Sequence, residues 1–245
     1  MLKFKRSELE NGIRVLTELH PQSHAVSIGI WVLTGTRDEK PGEEGLAHFL
    51  EHLVFKGTKT RTAYQIARSL ESLGGELNAF TTREHTCYHA LVLKDHWFEA
   101  LDVLSDLVCN MSLSQKDFRL EKGVVLAEIA SSNENNEEYV YDFFFERVFA
   151  NHSLGRPILG TVKSISEMTQ KQVRDYYRRH YSGGNIIVSA AGHIDHEELV
   201  SGVRKLLRNK KKVRIDRGRK PPRWRRVRAV LEKPSEQVLS LIHIS

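Results

Sequence analysis

Gly45-Leu46-Ala47-His48-Phe49-Leu50-Glu51-His52-Leu53 is the stretch on which the reading of this chain turns. At about 100° per residue, Leu46, Phe49, Leu50 and Leu53 recur at i, i+3, i+4 and i+7, the stripe of a helix that faces a core. His48, Glu51 and His52 fall within a sector of roughly 100° on the opposite side. One face anchors the helix, and the other presents two imidazoles and a carboxylate together. Two such imidazoles can bind one tetrahedral Zn2+ at about 2.0–2.1 Å, and the neighbouring carboxylate can take a proton from a metal-bound water. Alone, the pattern is weak: with 12 His and 22 Glu, chance puts His-x-x-Glu-His in roughly one such chain in twenty. The competing reading is a polar stripe facing solvent. Phe55, on the same face, counts slightly against it.

A third ligand decides between the two. A helix is expected from Ser114 to Ser132, opened by the capping pattern Ser114-x-x-Asp117. Glu121 and Glu128, seven residues apart, lie nearly on one line of it, in a sector crowded by Phe118, Val124, Val125 and Ile129. Both carboxylates are therefore expected on the buried side. A buried carboxylate without a partner costs several kcal/mol and calls for a cation, a metal or a proton. For this helix alone an ordinary buried salt bridge would serve as well. Taken with His48 and His52, a site of two His and one Glu is the better account, and it leaves Glu51 free as a base.

Around these helices the pattern is mixed. Gly12 to Leu19 alternates after an Asn11-Gly12 turn and reads as a half-buried strand, and Ala25 to Leu33 as a more fully buried one. Helices are expected over Leu46 to Lys56, closing at Gly57, and over Ala63 to Leu73, ended by Gly74-Gly75. Glu76 to Thr82 and Thr86 to Leu93 read as a hairpin. Further helices follow over Asp95 to Asn110, Glu137 to Phe149, Ser164 to Tyr181 and His196 to Leu207, with a last strand over Ile186 to Ala191. Hairpin strands and helices in uneven blocks predict an α+β fold with a largely antiparallel sheet packed against several helices.

Composition sets the outer bounds. The 245 residues are 40% hydrophobic and 28% charged, enough for a core and ordinary for a globular protein, which excludes collagen-like and wholly disordered readings. No apolar run approaches the roughly 18 residues of a membrane span. No apolar segment follows the basic N-terminus as a secretory signal would, and that points to the cytoplasm. Cys87 and Cys109 make no disulfide framework and read as free thiols in a reducing compartment. Charge is uneven: Arg204 to Arg228 holds 14 Lys/Arg against Asp216, a net of +13 in a chain of +6. An electrostatic patch for nucleic acid is one reading. A solvated linker is preferred, because Pro221-Pro222 stiffens the run and only Trp224 could stack a base.

At these residues the chain resembles the pitrilysin/insulinase family of zinc metallopeptidases, the inverzincins, whose His-x-x-Glu-His reverses the usual zincin order. That family places its third ligand about 76 residues beyond the second His, a spacing that lands on Glu128. Gly35-Thr36-Arg37-Asp38-Glu39, Phe55-Lys56-Gly57-Thr58, Gly74-Gly75-Glu76-Leu77-Asn78-Ala79-Phe80-Thr81, Gly155-Arg156-Pro157-Ile158-Leu159-Gly160 and Tyr181-x-x-Gly184-Asn185 are similar to its other signature blocks. The resemblance covers about residues 8–210. It implies one Zn2+ per chain held by His48, His52 and Glu128, with Glu51 as general base. It also implies a supporting carboxylate at Glu121, and a strand at Asn78, Ala79, Phe80 and Thr81 that receives substrate by strand addition. The implied substrate is a peptide or unfolded protein segment, cleaved in a chamber formed by two similar halves.

The organisation expected from this is a zinc metallopeptidase N-terminal domain over 1–208, a basic Pro-containing linker over 209–234, and the start of a second homologous domain over 235–245. Leu239 to Ser245 departs from the family pattern and is similar to translated adaptor sequence, so the chain reads either as a truncated protein or as a natural half-size member. The second half is expected in cis, in trans or as a homodimer. A non-catalytic or partner-dependent subunit is the alternative function, opposed by the intact His48, Glu51, His52 and Glu128. A nucleic-acid-binding protein would leave the metal constellation unexplained.

Overall fold

A computed structural model describes residues 3–213, 215–223, 226–234 and 237–243. Six strands form one sheet: β1 (Lys3–Glu8), β2 (Arg14–Leu19), β3 (Ala25–Val32), β4 (Glu76–Thr81), β5 (Thr86–Leu93) and β6 (Ile186–Gly192). Their order is β1-β2-β6-β3-β5-β4, antiparallel throughout except for the β2–β6 pair. The expected largely antiparallel α+β architecture is the observed one. Because β6 lies between β2 and β3, the sheet is one body that closes only when the chain reaches Gly192.

One face of the sheet is apolar. Val26, Ile28, Ile30 and Val32 of β3, Tyr88, Ala90 and Val92 of β5, and Ile186 and Val188 of β6 are all buried. Period-two alternation accounts for this, since alternate side chains of a strand share a face. Helix α3 (Trp97–Asn110) lies against β3 and β5, and α8 (His196–Leu206) against β2 and α3. The other helices are α1 (Leu46–Val54), α2 (Ala63–Glu71), α4 (Gln115–Glu134), α5 (Asn136–Val148), α6 (Val162–Glu167) and α7 (Gln170–His180). Helix α1 packs on α4, α7 and β4, which puts it at the β4 edge of the sheet.

Two elements differ from the sequence reading. The helix expected over Ser164 to Tyr181 is two helices, because Thr169 caps α7 in a box with Gln172 and Met168 leaves helical geometry. Thr-x-x-Gln is itself a helix-start signal, and here it outweighs the continuous periodicity. Strand β1 was not expected: Lys3-Phe4-Lys5-Arg6-Ser7-Glu8 lacks alternation, as an edge strand with little core to cover does not need it. Helix α1 ends at Val54 and leaves through a turn into Gly57, whose φ of +149° an L side chain rarely adopts. Trp224, the base-stacking candidate, and Ser235-Glu236 lie outside the described residues.

Candidate metal centre

Helix α1 is anchored as its pattern requires. Leu46, Phe49, Leu50 and Leu53 are fully buried, each a burial worth about 1.5–3 kcal/mol. Its N-terminus has no cap of its own, since Gly45 sits at φ +85° without a side chain. Glu39 serves instead, accepting from Gly45 N at 3.1 Å and Ala47 N at 2.8 Å. Burial pushes the Glu39 carboxyl well up, with the two N–H bonds opposing. Gly45 also crosses Gly160 so closely that a Cβ on it would lie 2.4 Å from the Leu159 carbonyl.

His48, His52 and Glu128 meet across α1 and α4, with one ligand atom from each lying within 4.8 Å of the others. His48 Nε2 is 3.7 Å from Glu128 Oε1, and His52 Nε2 is 3.6 Å from Glu128 Oε2. These distances are long for hydrogen bonds. They approach the spacing of about 3.3 Å between donors on a tetrahedral ion with bonds near 2.05 Å. Among the described residues this is the only group of three or more His, Cys, Asp or Glu so placed.

The hydrogen-bond pattern favours a cation at this point. His52 Nδ1 is 2.8 Å from Glu121 Oε1. An ionised carboxylate only accepts, so Nδ1 carries the proton and Nε2 turns a lone pair toward Glu128. Glu128 Oε2 is itself buried without a hydrogen-bond partner, as is His48 Nδ1. Two lone-pair atoms facing each other with nothing between them repel, and a positive ion relieves this. Burial, helped by the neighbouring His52, lowers the His48 imidazole to about 4, so it is neutral at pH 7 and able to donate its lone pair. Two imidazoles and a carboxylate are a donor set that suits zinc.

The two glutamates of α4 differ more than their heptad spacing suggested. Glu121 is 2% exposed, whereas 40% of the Glu128 side chain is exposed although its Oε2 is not. Glu121 Oε2 is held by Lys56 Nζ at 2.8 Å. His48, His52 and Lys56 thus form one line at i, i+4 and i+8, running antiparallel to Glu128 and Glu121. Lys56 was missed in the sequence, although its place one turn beyond His52 was the signal available.

Glu51 sits beside the cluster. Its carboxylate accepts from the Thr81 hydroxyl at the end of β4. Burial raises its affinity for a proton, Thr81 and His52 oppose this, and Glu128 adds to it. That direction suits a group that must take and return a proton near neutrality. β4 is an edge strand, so the backbone of Asn78, Ala79, Phe80 and Thr81 has a free side for another strand. Of these four residues Thr81 alone reaches Glu51, while Asn78 and Phe80 are exposed on the far face. The β4–β5 turn is tied to α5 through Arg83, which donates to Asp142 at 3.1 Å and stacks 3.7 Å from the Phe145 ring centre. No described helix is long and apolar enough to cross a membrane.

Comparison with known proteins agrees with this geometry. Residues 14–162 match the family described as insulinase (peptidase family M16), and residues 167–243 match the M16 inactive domain. An uncharacterized zinc protease of Mycobacterium tuberculosis (strain H37Rv) is 43% identical over 217 residues, covering 89% of this chain and 49% of the relative. The uncharacterized zinc protease YmxG of Bacillus subtilis is 40% identical over 190 residues, covering 78% and 46%. The chain therefore spans about half the length of these relatives. Among solved structures, a protease from Helicobacter pylori superposes with a TM-score of 0.82 at 23% identity, over 87% of this chain and 52% of that one. The first half of the periplasmic protease PqqL from Escherichia coli gives 0.78 at 24%, over 87% and 47%. Likeness at that identity shows the fold.

Proposed function

The chain belongs to the insulinase family of M16 peptidases, and from that premise we propose that it is the metal-bearing half of a zinc-dependent endopeptidase of the inverzincin type. The observation that carries the reading is the meeting of His48, His52 and Glu128 within 4.8 Å, with Glu51 one helical turn away. One Zn2+ would be held by those three side chains. Bound there, zinc would supply Lewis acidity, making water a nucleophile near neutral pH and polarising the scissile carbonyl.

The chain's own residues divide the remaining work. Glu51 takes the proton of the attacking water at its carboxylate and returns it to the leaving amine. Thr81 holds that carboxylate in place. Glu121 keeps the His52 proton on Nδ1 and so leaves Nε2 for the metal. The β4 edge pairs with an extended peptide or unfolded segment through backbone hydrogen bonds, a mode that accepts varied sequences. The body over 1–208 forms this half, 209–234 leads away from it, and 235–245 opens a second, homologous half. That half would act in cis, in trans or as a second copy, and relatives about twice as long support it. A partner-dependent subunit fits the same observation.

The test combines metal content with turnover. The unsubstituted protein is expected to carry one equivalent of zinc, strongly reduced in His48→Ala, His52→Ala and Glu128→Ala. Glu51→Gln should keep the metal and lose cleavage of a quenched peptide by about 10²–10⁴-fold, because the amide cannot accept a proton. Activity is measured with the second half of a full-length relative added. Full zinc in Glu128→Ala, or unchanged turnover in Glu51→Gln, would overturn the assignment.

A further inference from the structure

The proposed chemistry leaves the basic run unused, and the first part of that run is docked on the body. Lys210 Nζ donates to the carbonyls of Val108 and Tyr181, each at 2.9 Å. Gly183 N donates to Lys211 O at 2.9 Å, and Arg217 donates to Asn185 Oδ1. Arg219 ends the docked stretch. Its guanidinium grips Asp38 through two parallel bonds, Nε to Oδ1 and Nη2 to Oδ2, both 2.7 Å. Nη2 also donates to the Glu84 backbone carbonyl at 2.8 Å. The Asp38 side chain is 1% exposed, and among the described residues its remaining hydrogen bond is from Gly35 N at 3.0 Å.

Two turns meet under this arginine. The short 3-10 turn Thr36–Asp38 is joined to the β4–β5 turn by Thr36 N to Thr82 O at 3.2 Å and Arg37 N to Arg83 O at 2.8 Å. They approach so closely that a Cβ on Gly35 would stand 2.3 Å from the Thr82 carbonyl. Each turn runs directly into the site. Asp38 is followed by Glu39, which caps α1. Thr82 is preceded by Thr81, which holds Glu51.

We infer that Arg219 is a positioning residue: through Asp38 and Glu84 it latches together the two turns that carry Glu39 and Thr81, so that segment 209–220 helps set where Glu51 and the first turn of α1 sit. The inference rests on the proposed metallopeptidase reading only for its consequence. The bidentate fork makes it specific to arginine, since a lysine supplies charge without two parallel bonds. The competing account is a salt bridge that merely fastens a tail.

Hydrogen–deuterium exchange on the metal-free full chain separates these accounts. In Arg219→Ala, peptides spanning 34–48 and 79–86 are expected to exchange about tenfold faster, while peptides from β1–β2 and α8 stay as they were. Arg219→Lys should give an intermediate change at the same two places, and exposed Arg223→Ala none. On loading with Co2+, whose visible absorption follows ligand geometry, Arg219→Ala should shift the band although its side chain touches no ligand. Faster exchange confined to 209–223 would overturn the latch, as would a uniform rise along the whole chain. If Arg219→Ala does not fold, Arg219→Lys carries the same comparison. Zinc stoichiometry of the unsubstituted chain tests the metallopeptidase reading separately, because the exchange pattern needs no metal.

Discussion

Glu121→Gln is the substitution whose outcome the site geometry fixes most tightly. The carboxylate is 2% exposed and has one partner on each oxygen, His52 Nδ1 and Lys56 Nζ, both at 2.8 Å. Each partner is a donor in the metal-binding arrangement, so two acceptor atoms are required. Gln offers one acceptor and one N–H2. Whichever way the amide turns, an N–H faces a donor, and burial keeps water from making up the difference. Losing the negative charge also weakens the His52 imidazole as a ligand. Both effects act in one direction. Loss of such an outer partner typically weakens metal binding about 10- to 100-fold, which is roughly 1.4–2.8 kcal/mol. Burial places this case toward the upper end. The assay is a zinc titration against a chromophoric chelator at fixed pH and salt, with the metal-free melting curve recorded alongside to show that α4 remains folded. A dissociation constant within about twofold of the unsubstituted protein would refute the role given to Glu121.

Two further outcomes follow from groups outside the metal cluster. His180 is buried, and burial followed by the neighbouring Arg179 lowers it to about 4. It is therefore neutral in the fold and takes a proton only on unfolding below the ordinary histidine value. Stability is complete above about pH 6.5 and is lost as pH falls toward 4, at up to about 1.4 kcal/mol per unit for this residue. His180→Gln should make urea unfolding of the metal-free protein less steeply pH-dependent between pH 6.5 and 5, and an unchanged slope would show that His180 is not the cause. Lys210 is the second. Lys210→Ser should cost about 1–3 kcal/mol in denaturant titration by leaving the Val108 and Tyr181 carbonyls unpaired, whereas exposed Lys211→Ser should stay within about 0.5 kcal/mol. Equal effects at both positions would mean that Lys210 is not an anchor.

What the sequence made legible follows from how each residue signals. Leu46, Phe49, Leu50 and Leu53 announce α1 because its buried side is a clean stripe, and His48, Glu51 and His52 are legible by contrast with it. Ser114 announces α4 by capping chemistry, and its hydroxyl does accept from Asp117 N at 3.0 Å. Inside α4 the pattern says less. Exposed Leu120 and Val124 interrupt the periodicity, so Glu121 and Glu128 could not be told apart by burial before α1 was placed against them. Glu39 was illegible for a different reason: it caps a helix whose first residue lies seven positions on, and local rules look three residues ahead. Arg219 was hidden by its neighbours. In a run of fourteen like charges no count can mark the one that meets a buried Asp38 across the fold.

The division between rigid and open parts follows from where the hydrophobic core ends. The ligands stand on helices whose opposite faces are buried in that core, so the metal geometry is held by packing that is complete within this chain. The base is tied to an edge strand that has no neighbour on one side, because β4 closes the sheet order. A substrate laid along β4 would gain backbone bonds on one side of its own strand only, and nothing described in this chain faces its other side. Positioning a peptide for attack can supply several kcal/mol of barrier reduction. The metal site and the wall that would complete substrate binding are therefore separable. A chain that binds zinc fully and cleaves weakly until a second half is present is the behaviour this arrangement dictates.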